Sequence, residues 1–302
     1  MTRRTLMAPV LALIVAMGAL AGCSSQNPLS GPTTSALTTI VVGSQDYYSN
    51  EIIAEIYAQA LEGAGYTVDR QFRIGQREVY LPEIEAGGID LFPEYTGPLL
   101  QYWEPDTTAR LGDDVYAELS RVVPAGLHVL DQAAATDQDS YVVTRDFADQ
   151  WGLTTIADLA KVTTPMVMGA NSEAENRPNG PTGLLDTYGV SVGFTPIEDG
   201  GGPLTVKALQ DGQIQLAIIY TADPSIAADD LVSLTDTKGL FLSSHVVPLA
   251  SDKIDAAAAA VIDAVSAAMS PDDLIALNAR SVTDQLPAAT IASDWLAAKN
   301  LS

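Results

Sequence analysis

Short apolar runs alternate with amphipathic segments along most of this chain, in the order typical of an α/β protein. The first is the β-branched run 39–43, which predicts a strand buried in a parallel sheet. After a polar loop, Ile52, Ile53 and Ile56 fall on one face of a helix that we expect to begin near Asn50, a common N-cap residue. Such a strand–loop–helix unit places backbone N–H groups at the carboxyl end of the strand.

The same alternation continues to the C-terminus and predicts most of the remaining elements. Further strands are predicted at 67–74, 89–92, 128–130, 141–144, 166–169, 214–219, 231–234 and 245–249. Further helices are predicted at 78–86, 113–121, 154–160, 183–188, 204–211, 254–269, 271–279 and 288–299. We therefore expect an α/β fold in which helices cover largely parallel sheets.

One pattern occurs twice, as Ile-x-Leu-x-x-x-Tyr-Thr at 89–96 and again at 214–221. Each copy follows a helix-like run that ends near glycine, and Pro93 is expected to end the first strand. Tyr95 and Tyr220 then emerge where a strand ends, which is where small ligands bind in open α/β sheets. The repeat predicts that the two tyrosines form two walls of one cleft; chance similarity between two ordinary helix–strand units is the alternative.

The length of 302 residues exceeds that of a typical domain, which favours two lobes. The polar run 135–140 interrupts a sheet without a helix, and we expect the chain to cross from the first lobe to the second around residues 135–143. The run 245–249 is predicted to cross back, which gives a hinge of two strands. Lobe one is thus predicted to contain residues 39–138 with 246–302, and lobe two residues 139–245.

The N-terminus has the pattern of a bacterial export signal. An arginine pair precedes the apolar run 6–20, which is too short for a comfortable membrane span. The segment 20–23 reads Leu-Ala-Gly-Cys and resembles a lipobox, and Cys23 is the only cysteine in the sequence. We expect residues 1–22 to be a signal peptide and 23–38 a lipidated flexible tether, which leaves the protein extracytoplasmic and anchored to the bacterial cell membrane. An ordinary secretory signal is the alternative.

Charge and composition narrow the classes of function. A formal net charge of −23 argues against nucleic acid as a partner, because phosphate binding needs a basic face. The sequence has no Gly-x-Ser-x-Gly elbow, phosphate-binding loop, dinucleotide fingerprint or His/Cys cluster for zinc. His128 and His245 lie in apolar strand-like runs, which favours a structural role for both. We therefore expect a protein that is not an enzyme and that uses neither a cofactor nor a metal.

Seven short motifs, in the same order from about residue 39 to the C-terminus, resemble those of the osmoprotectant-binding lipoproteins of ABC importers. Because the similarity covers the whole mature chain, it is more specific than any single motif. The motifs are Gly43-Ser44-x-Asp46, Ala54-Glu55-Ile56-Tyr57-Ala58-Gln59, Pro93-Glu94-Tyr95-Thr96-Gly97, Arg177-Pro178-x-Gly180-x-x-Gly183-Leu184, Lys207-Ala208-Leu209, Asp236-x-Lys238-Gly239-Leu240 and Asp294-Trp295-Leu296.

The resemblance implies a two-lobed periplasmic-binding-protein fold, type II-like, that closes on a quaternary amine such as glycine betaine, choline or carnitine. It also implies a tyrosine-rich box around the ammonium group, with polar groups or an arginine on a ligand carboxylate. A trimethylammonium group has no N–H to donate, so ring faces recognise it. Tyr95 and Tyr220 fall on box positions and Arg177 on the arginine motif of lobe two. The candidate ligand-binding residues are Ser44, Asp46, Tyr47 and Asn50 in the first loop, and Tyr95, Thr96, Asp139, Tyr141, Arg177, Tyr220 and Thr221.

Two departures from the family pattern bear on the ligand. Asp139 stands where members with a fully aromatic box carry a further tyrosine, and Tyr141 follows two residues later on the same face of a strand. Pro98 replaces a small hydroxyl residue, which removes a candidate contact to a ligand carboxylate. We hypothesise that a carboxylate at Asp139 favours a ligand with net positive charge, choline-like, over a zwitterion.

The resemblance further implies an ABC-transporter permease as the partner, and we expect the chain to be a monomer. Two alternatives stay open. In the first, the ligand is another small polar or cationic solute, such as an amino acid derivative. In the second, the chain is a surface lipoprotein that binds a protein or polymer, which predicts a large exposed apolar patch and no enclosed aromatic cleft.

Overall fold

The computed structural model describes residues 39–301. Over this range the chain forms two five-stranded sheets with helices packed on both faces of each. None of the helices in this range is long and apolar enough to cross a membrane. The predicted signal peptide 1–22, the lipidation site Cys23 and the tether 23–38 lie outside the described residues.

The elements follow one another in the alternating order that the hydrophobic pattern predicts. The strands are β1 Ile40–Gly43, β2 Val68–Gln71, β3 Leu91–Tyr95, β4 Leu127–Val129, β5 Asp139–Thr144, β6 Val167–Ala170, β7 Gly193–Pro196, β8 Leu216–Tyr220, β9 Leu231–Ser233 and β10 Val246–Ser251. The helices are α1 Tyr48–Gly63, α2 Arg77–Glu85, α3 Thr96–Trp103, α4 Gly112–Val122, α5 Arg145–Trp151, α6 Pro181–Tyr188, α7 Pro203–Gln210, α8 Ser225–Ala228, α9 Ala256–Ala268, α10 Pro271–Val282 and α11 Ala288–Lys299, with short 3₁₀ helices at Ile156–Lys161 and Ser172–Asn176.

The two sheets have the same internal plan. Sheet one has the order β2-β1-β3-β10-β4 and sheet two the order β7-β6-β8-β5-β9. In each sheet the first three strands are parallel, and the fourth runs antiparallel because it is the strand that has just crossed from the other sheet. The two copies of the Ile-x-Leu-x-x-x-Tyr-Thr pattern end β3 and β8, so they occupy the central position of their respective sheets.

Alternate residues of each strand serve separate hydrophobic cores. On one face of sheet one, α1 packs with α9, α10 and α11 around Ile53, Ile262 and Trp295. On the other face, Tyr80 and Phe92 stack with ring centroids 4.1 Å apart. Sheet two is covered in the same way by two cores, one beneath α5 and α6 and one beneath α7. We call the unit built on sheet one lobe one, and the unit built on sheet two lobe two.

Two crossing segments join the lobes, and they pair with each other through an antiparallel bridge between Thr136 and His245. Each segment is held by the threonine of one Tyr-Thr unit. The backbone N–H of Thr96 donates to the carbonyl of His245 (3.0 Å), and the backbone N–H of His245 donates to Thr96 Oγ1 (3.0 Å). Thr221 makes the equivalent pair of bonds with Gln138, at 2.9 and 3.0 Å. The residue after each cleft tyrosine therefore fixes a crossing segment to the end of a central strand.

Two local predictions were wrong. Pro93 does not end β3, because it lies opposite Pro248 in the antiparallel pair with β10, where neither residue has an N–H to leave unpaired. Asn50 is not the N-cap of α1, which begins two residues earlier at Tyr48. The Asn50 side chain instead accepts from the backbone N–H of Gln45 (3.0 Å) and donates to the carbonyl of Pro93 (2.8 Å). The pattern also did not predict the helices α3, α5 and α8 or the edge strand β7.

We predict that Gly97→Ala destabilises the protein by about 1–3 kcal/mol, the usual cost of overpacking. An added Cβ at Gly97 would lie 2.8 Å from both the Cβ of Leu242 and the carbonyl oxygen of Ser243, in the segment that crosses back to lobe one. Urea unfolding followed by circular dichroism measures the change. Gly193→Ala is the matched control, because its nearest neighbour would be Val167 Cγ2 at 3.6 Å. Equal stability of the two variants would contradict the tight packing at Gly97.

Candidate functional site

Three tyrosine rings, delivered by three different elements, meet between the lobes. Tyr47 precedes α1, Tyr95 ends β3 and Tyr220 ends β8. The ring centroids of Tyr47 and Tyr220 are 4.7 Å apart, and Tyr47 is equally close to the ring of Tyr48. Tyr95 and Tyr220 line one small cavity of about 10 Å³ that Asp137 also lines. An aromatic surface from lobe one thus faces an aromatic ring from lobe two.

The position of Tyr47 depends on close approach of the two lobes. Asn50 fixes the loop before α1 to β3, so the ring of Tyr47 projects toward lobe two. On that side the glycine turn at Gly200 and Gly201 has positive φ angles of 65° and 81°. A Cβ at Gly200 would lie 3.2 Å from Cδ2 of the Tyr47 ring. Glycine therefore lets the backbone of lobe two pack against the ring, and it supplies the left-handed conformation that other residues rarely adopt.

Several buried polar atoms at this point have no hydrogen-bond partner among the described residues. They are the hydroxyl oxygens of Tyr47 and Tyr95 and Oδ2 of Asp137. The other oxygen of Asp137 accepts from the backbone N–H of Ala222 (3.0 Å). Burial raises the pKa of Asp137 to about 8, and the charges of Asp223 and Asp139 add to this, whereas the Ala222 N–H and the nearby Tyr47 hydroxyl oppose it. A buried carboxylate without a counter-charge is costly, and a bound cation would remove that cost.

Beyond the tyrosines, Arg77 lies in a buried hydrogen-bond network. Its Nε and Nη2 donate to the two carboxylate oxygens of Glu94, each at 2.9 Å. The hydroxyl of Tyr80 and the backbone N–H of Tyr95 also donate to Glu94, at 2.6 and 2.8 Å. Arg77 is only 7% exposed and Glu94 is fully buried. This network fixes the end of β3 and so the backbone that carries Tyr95.

A second arginine spans the lobes. Arg177 of lobe two donates from Nε and Nη2 to the two carboxylate oxygens of Glu78 in lobe one, at 3.1 and 3.0 Å. Partial burial raises the pKa of Glu78, but the bonds from Arg177 outweigh this and hold it below its ordinary value. A second bond across the lobes runs from the hydroxyl of Tyr48 to Oδ2 of Asp223, at 2.6 Å.

Asp139 and Tyr141 both meet Asn179, by different routes. Oδ2 of Asp139 accepts from Asn179 Nδ2 (2.8 Å). Burial raises the pKa of Asp139, while the nearby charges of Arg177 and Arg77 oppose that shift. The hydroxyl of Tyr141 donates to the backbone carbonyl of Asn179 (2.8 Å), but its ring packs in the core of lobe two. Asp139 thus lines the cleft beside two guanidinium groups, whereas Tyr141 acts on the cleft only through Asn179.

The other residues singled out from the sequence support the cleft or lie away from it. Thr96 and Thr221 hold the crossing segments, and Asn50 holds the first loop. Ser44 is buried and accepts from the backbone N–H of Arg73 (2.8 Å). Asp46 is exposed and pairs with the Arg73 side chain, so it does not line the cleft. The structure therefore brings together Tyr47, Tyr95, Asp139, Arg177 and Tyr220.

Sequence reasoning missed Asp137, Arg77 and Glu78. A signal for Asp137 was available, because residues two apart in an extended segment share a face and Asp139 had already been singled out. Arg77 and Glu78 begin α2, which the pattern predicts as an ordinary amphipathic helix. Only the folded chain brings that helix end to the carboxyl end of β3.

The outer part of the cleft has a volume of about 280 Å³. Lobe one contributes Arg77, Glu78 and Tyr102 to its walls, and lobe two contributes Asp139 and Arg177. With Glu94 and Asp137, four carboxyl groups face two guanidinium groups in and behind this cleft. When Asp137 is ionised, carboxylates outnumber the two guanidinium groups at this site. Within residues 39–301 there is no group of three or more His, Cys, Asp and Glu side chains that could hold a metal ion.

A model for the substrate binding domain of the ABC-type glycine betaine transport system matches residues 38–298. The glycine betaine-binding protein YehZ of Escherichia coli (strain K12) is 24% identical over 279 residues, which cover 87% of this chain and 92% of that protein. The carnitine transport binding protein OpuCC of Listeria monocytogenes is 25% identical over 248 residues, which cover 78% of this chain and 76% of that protein.

Among solved structures, a glycine betaine/carnitine/choline ABC transporter superposes with a TM-score of 0.70 and 19% identity. The superposition covers 87% of this chain and 99% of that chain. At this level of identity the similarity concerns the fold, and it confirms the fold class predicted from the sequence.

Proposed function

The chain belongs to the family of substrate-binding domains of ABC-type glycine betaine transport systems, and from this premise we propose that it is an extracytoplasmic receptor for a small quaternary amine. It binds the solute in the aromatic cleft between its lobes and delivers it to a membrane permease. One observation carries the proposal. Tyr47 and Tyr95 from lobe one meet Tyr220 from lobe two beside the unpaired carboxylate oxygen of Asp137.

The chemistry of the cluster suits a methylated ammonium group. Such a group cannot donate a hydrogen bond, and it is attracted instead to the electron-rich faces of aromatic rings, by about 0.5–2 kcal/mol per ring. Tyr95 and Tyr220 present two such rings, and the buried carboxyl of Asp137 supplies a counter-charge in a site from which water is largely excluded. A small alcohol group on the ligand would reach the free hydroxyls of Tyr47 or Tyr95.

The counter-charge is assigned here to Asp137 instead of Asp139. Asp139 already has Asn179 as a hydrogen-bond partner and lies near two arginines. Asp137 keeps one oxygen free of any partner in the described part of the chain. The preference for a ligand with net positive charge, first inferred from Asp139, therefore has its physical basis at Asp137.

Ligand access requires the lobes to separate. The cavity between Tyr95 and Tyr220 has a volume of about 10 Å³, which is room for about one water molecule. Rotation about the paired crossing segments would open it, and a ligand held by rings from both lobes would favour the closed form. Thr96 and Thr221 directly follow Tyr95 and Tyr220 and bond to the crossing segments. A rotation of the hinge therefore moves the two rings as well.

The organisation of the whole chain is part of the same proposal. Residues 39–138 with 246–302 form lobe one, and residues 139–245 form lobe two. A lipid on Cys23 and the tether 23–38 keep this monomeric receptor at the membrane. Closed lobes then present their outer surfaces to the permease.

We predict that replacing a cleft ring weakens choline binding by about 3- to 30-fold, the effect of losing one cation–π contact. Tyr95→Leu and Tyr220→Leu remove a ring, whereas Tyr95→Phe and Tyr220→Phe keep it and are the matched controls. Isothermal titration calorimetry with choline, glycine betaine and carnitine measures the affinities.

The phenylalanine variants should bind within about threefold of the wild type. Failure of the wild-type protein to bind any of the three quaternary amines would reject the proposed function. Equal losses for the leucine and phenylalanine variants would reject the role of the rings.

We also predict that choline binding strengthens with pH and releases a proton. Asp137 has a pKa of about 8 without ligand, and a cation favours its ionised form, so binding lowers that pKa. The affinity should therefore rise about tenfold between pH 6.5 and 8.5 and level off above pH 8.5. Calorimetry at pH 7 in buffers of different ionisation enthalpy detects the released proton.

Asp137→Asn provides the control, because an amide has no proton to release in this range. The variant should bind choline more weakly with an affinity that no longer changes with pH. A wild-type affinity that is constant from pH 6.5 to 8.5 would show that Asp137 is not the counter-charge.

A further inference from the structure

The arginine nearest the outer cleft is already occupied by a carboxylate of the chain itself. Nε of Arg177 donates to one carboxylate oxygen of Glu78, and Nη2 donates to the other. This two-pronged geometry is also the one in which an arginine holds a ligand carboxylate most strongly. Glu78 therefore takes the place that a carboxylate-bearing ligand would need at Arg177.

The second arginine is also neutralised by a carboxylate of the chain. Arg77 is held by Glu94 in the same two-pronged way, and Glu94 is fully buried with two further donors, Tyr80 and the Tyr95 backbone. Breaking a buried pair of this kind is strongly unfavourable. No lysine and no other arginine lines the described parts of the cleft.

We propose that Glu78 is a specificity-determining residue that excludes zwitterionic ligands, so that the ligand is a quaternary ammonium alcohol with net positive charge. This inference rests on the proposed function. A ligand carboxylate placed in the cleft would meet Glu78 and Asp139, and both guanidinium groups there are already paired with carboxylates of the chain. The ligand carboxylate would be repelled by the like charges of Glu78 and Asp139, and an unpaired charge in a partly buried site is unfavourable.

The ion pair between Glu78 and Arg177 also joins the two lobes. Glu78 belongs to α2 of lobe one and Arg177 follows a 3₁₀ helix of lobe two, so their pair forms only when the lobes are in contact. In a receptor for a zwitterion, the ligand carboxylate would join the lobes at this point. Here the chain supplies that carboxylate itself, and the ligand needs to contribute only its ammonium end.

The test compares two ligands of nearly equal size, choline and glycine betaine, by isothermal titration calorimetry. The wild-type protein should bind choline at least tenfold more tightly than glycine betaine. In Glu78→Gln the ratio of the two dissociation constants should fall at least tenfold, because Arg177 becomes free for the carboxylate of glycine betaine. Glu83→Gln is the matched control, since Glu83 lies on the same helix, is exposed and forms no ion pair with any residue in the range 39–301.

A double variant, Glu78→Gln with Arg177→Gln, should lose the gain in glycine betaine binding, which assigns the gain to Arg177. Choline binding with an unchanged ratio in Glu78→Gln would overturn this inference and leave the proposed function standing. Equal affinity of the wild type for both ligands would also overturn it, even if Glu78→Gln does not fold. Binding of neither ligand to the wild type would reject the proposed function itself.

Discussion

In each lobe, the Tyr-Thr pair at the end of the central strand holds both the binding surface and the hinge in place. A tyrosine at the carboxyl end of the strand enters the cleft, and the threonine after it exchanges two hydrogen bonds with a segment that joins the lobes. Binding surface and hinge are therefore neighbours in the sequence as well as in space. The matching strand orders of the two sheets place these Tyr-Thr units opposite one another, so one rotation changes the distance between the rings and the geometry of the hinge together.

The carboxyl groups of the cleft have different roles. Glu94 is fully satisfied and buried with Arg77, and it gives the backbone at Tyr95 a fixed position. Glu78 joins the lobes through Arg177. Of these cleft carboxyl groups, Asp137 has a buried oxygen without a hydrogen-bond partner among residues 39–301, which is unfavourable unless a ligand compensates it. Because Arg77 pairs with Glu94 and Arg177 with Glu78, neither arginine neutralises Asp137, and a cationic ligand could do so.

The sequence was informative where a pattern marked a topological position. The repeated Ile-x-Leu-x-x-x-Tyr-Thr pattern located both central strands and both cleft tyrosines, because strand ends and ligand sites coincide in α/β sheets. It was misleading at Pro93, whose lack of an N–H is harmless only because Pro248 lies opposite. The pair of Glu78 with Arg177 joins residues 99 positions apart, and no local pattern signals such a contact. Tyr141 shows the same limit, since alternation gave its face but not that this face lies in a core.

The most direct measurement is a crystal structure of the protein with bound choline. We predict that the ammonium nitrogen lies within about 6 Å of the ring centroids of both Tyr95 and Tyr220, the range of a cation–π contact. The Asp137 carboxyl should be the nearest acidic group to that nitrogen. Choline bound to one lobe alone, or at a surface remote from both rings, would contradict the account.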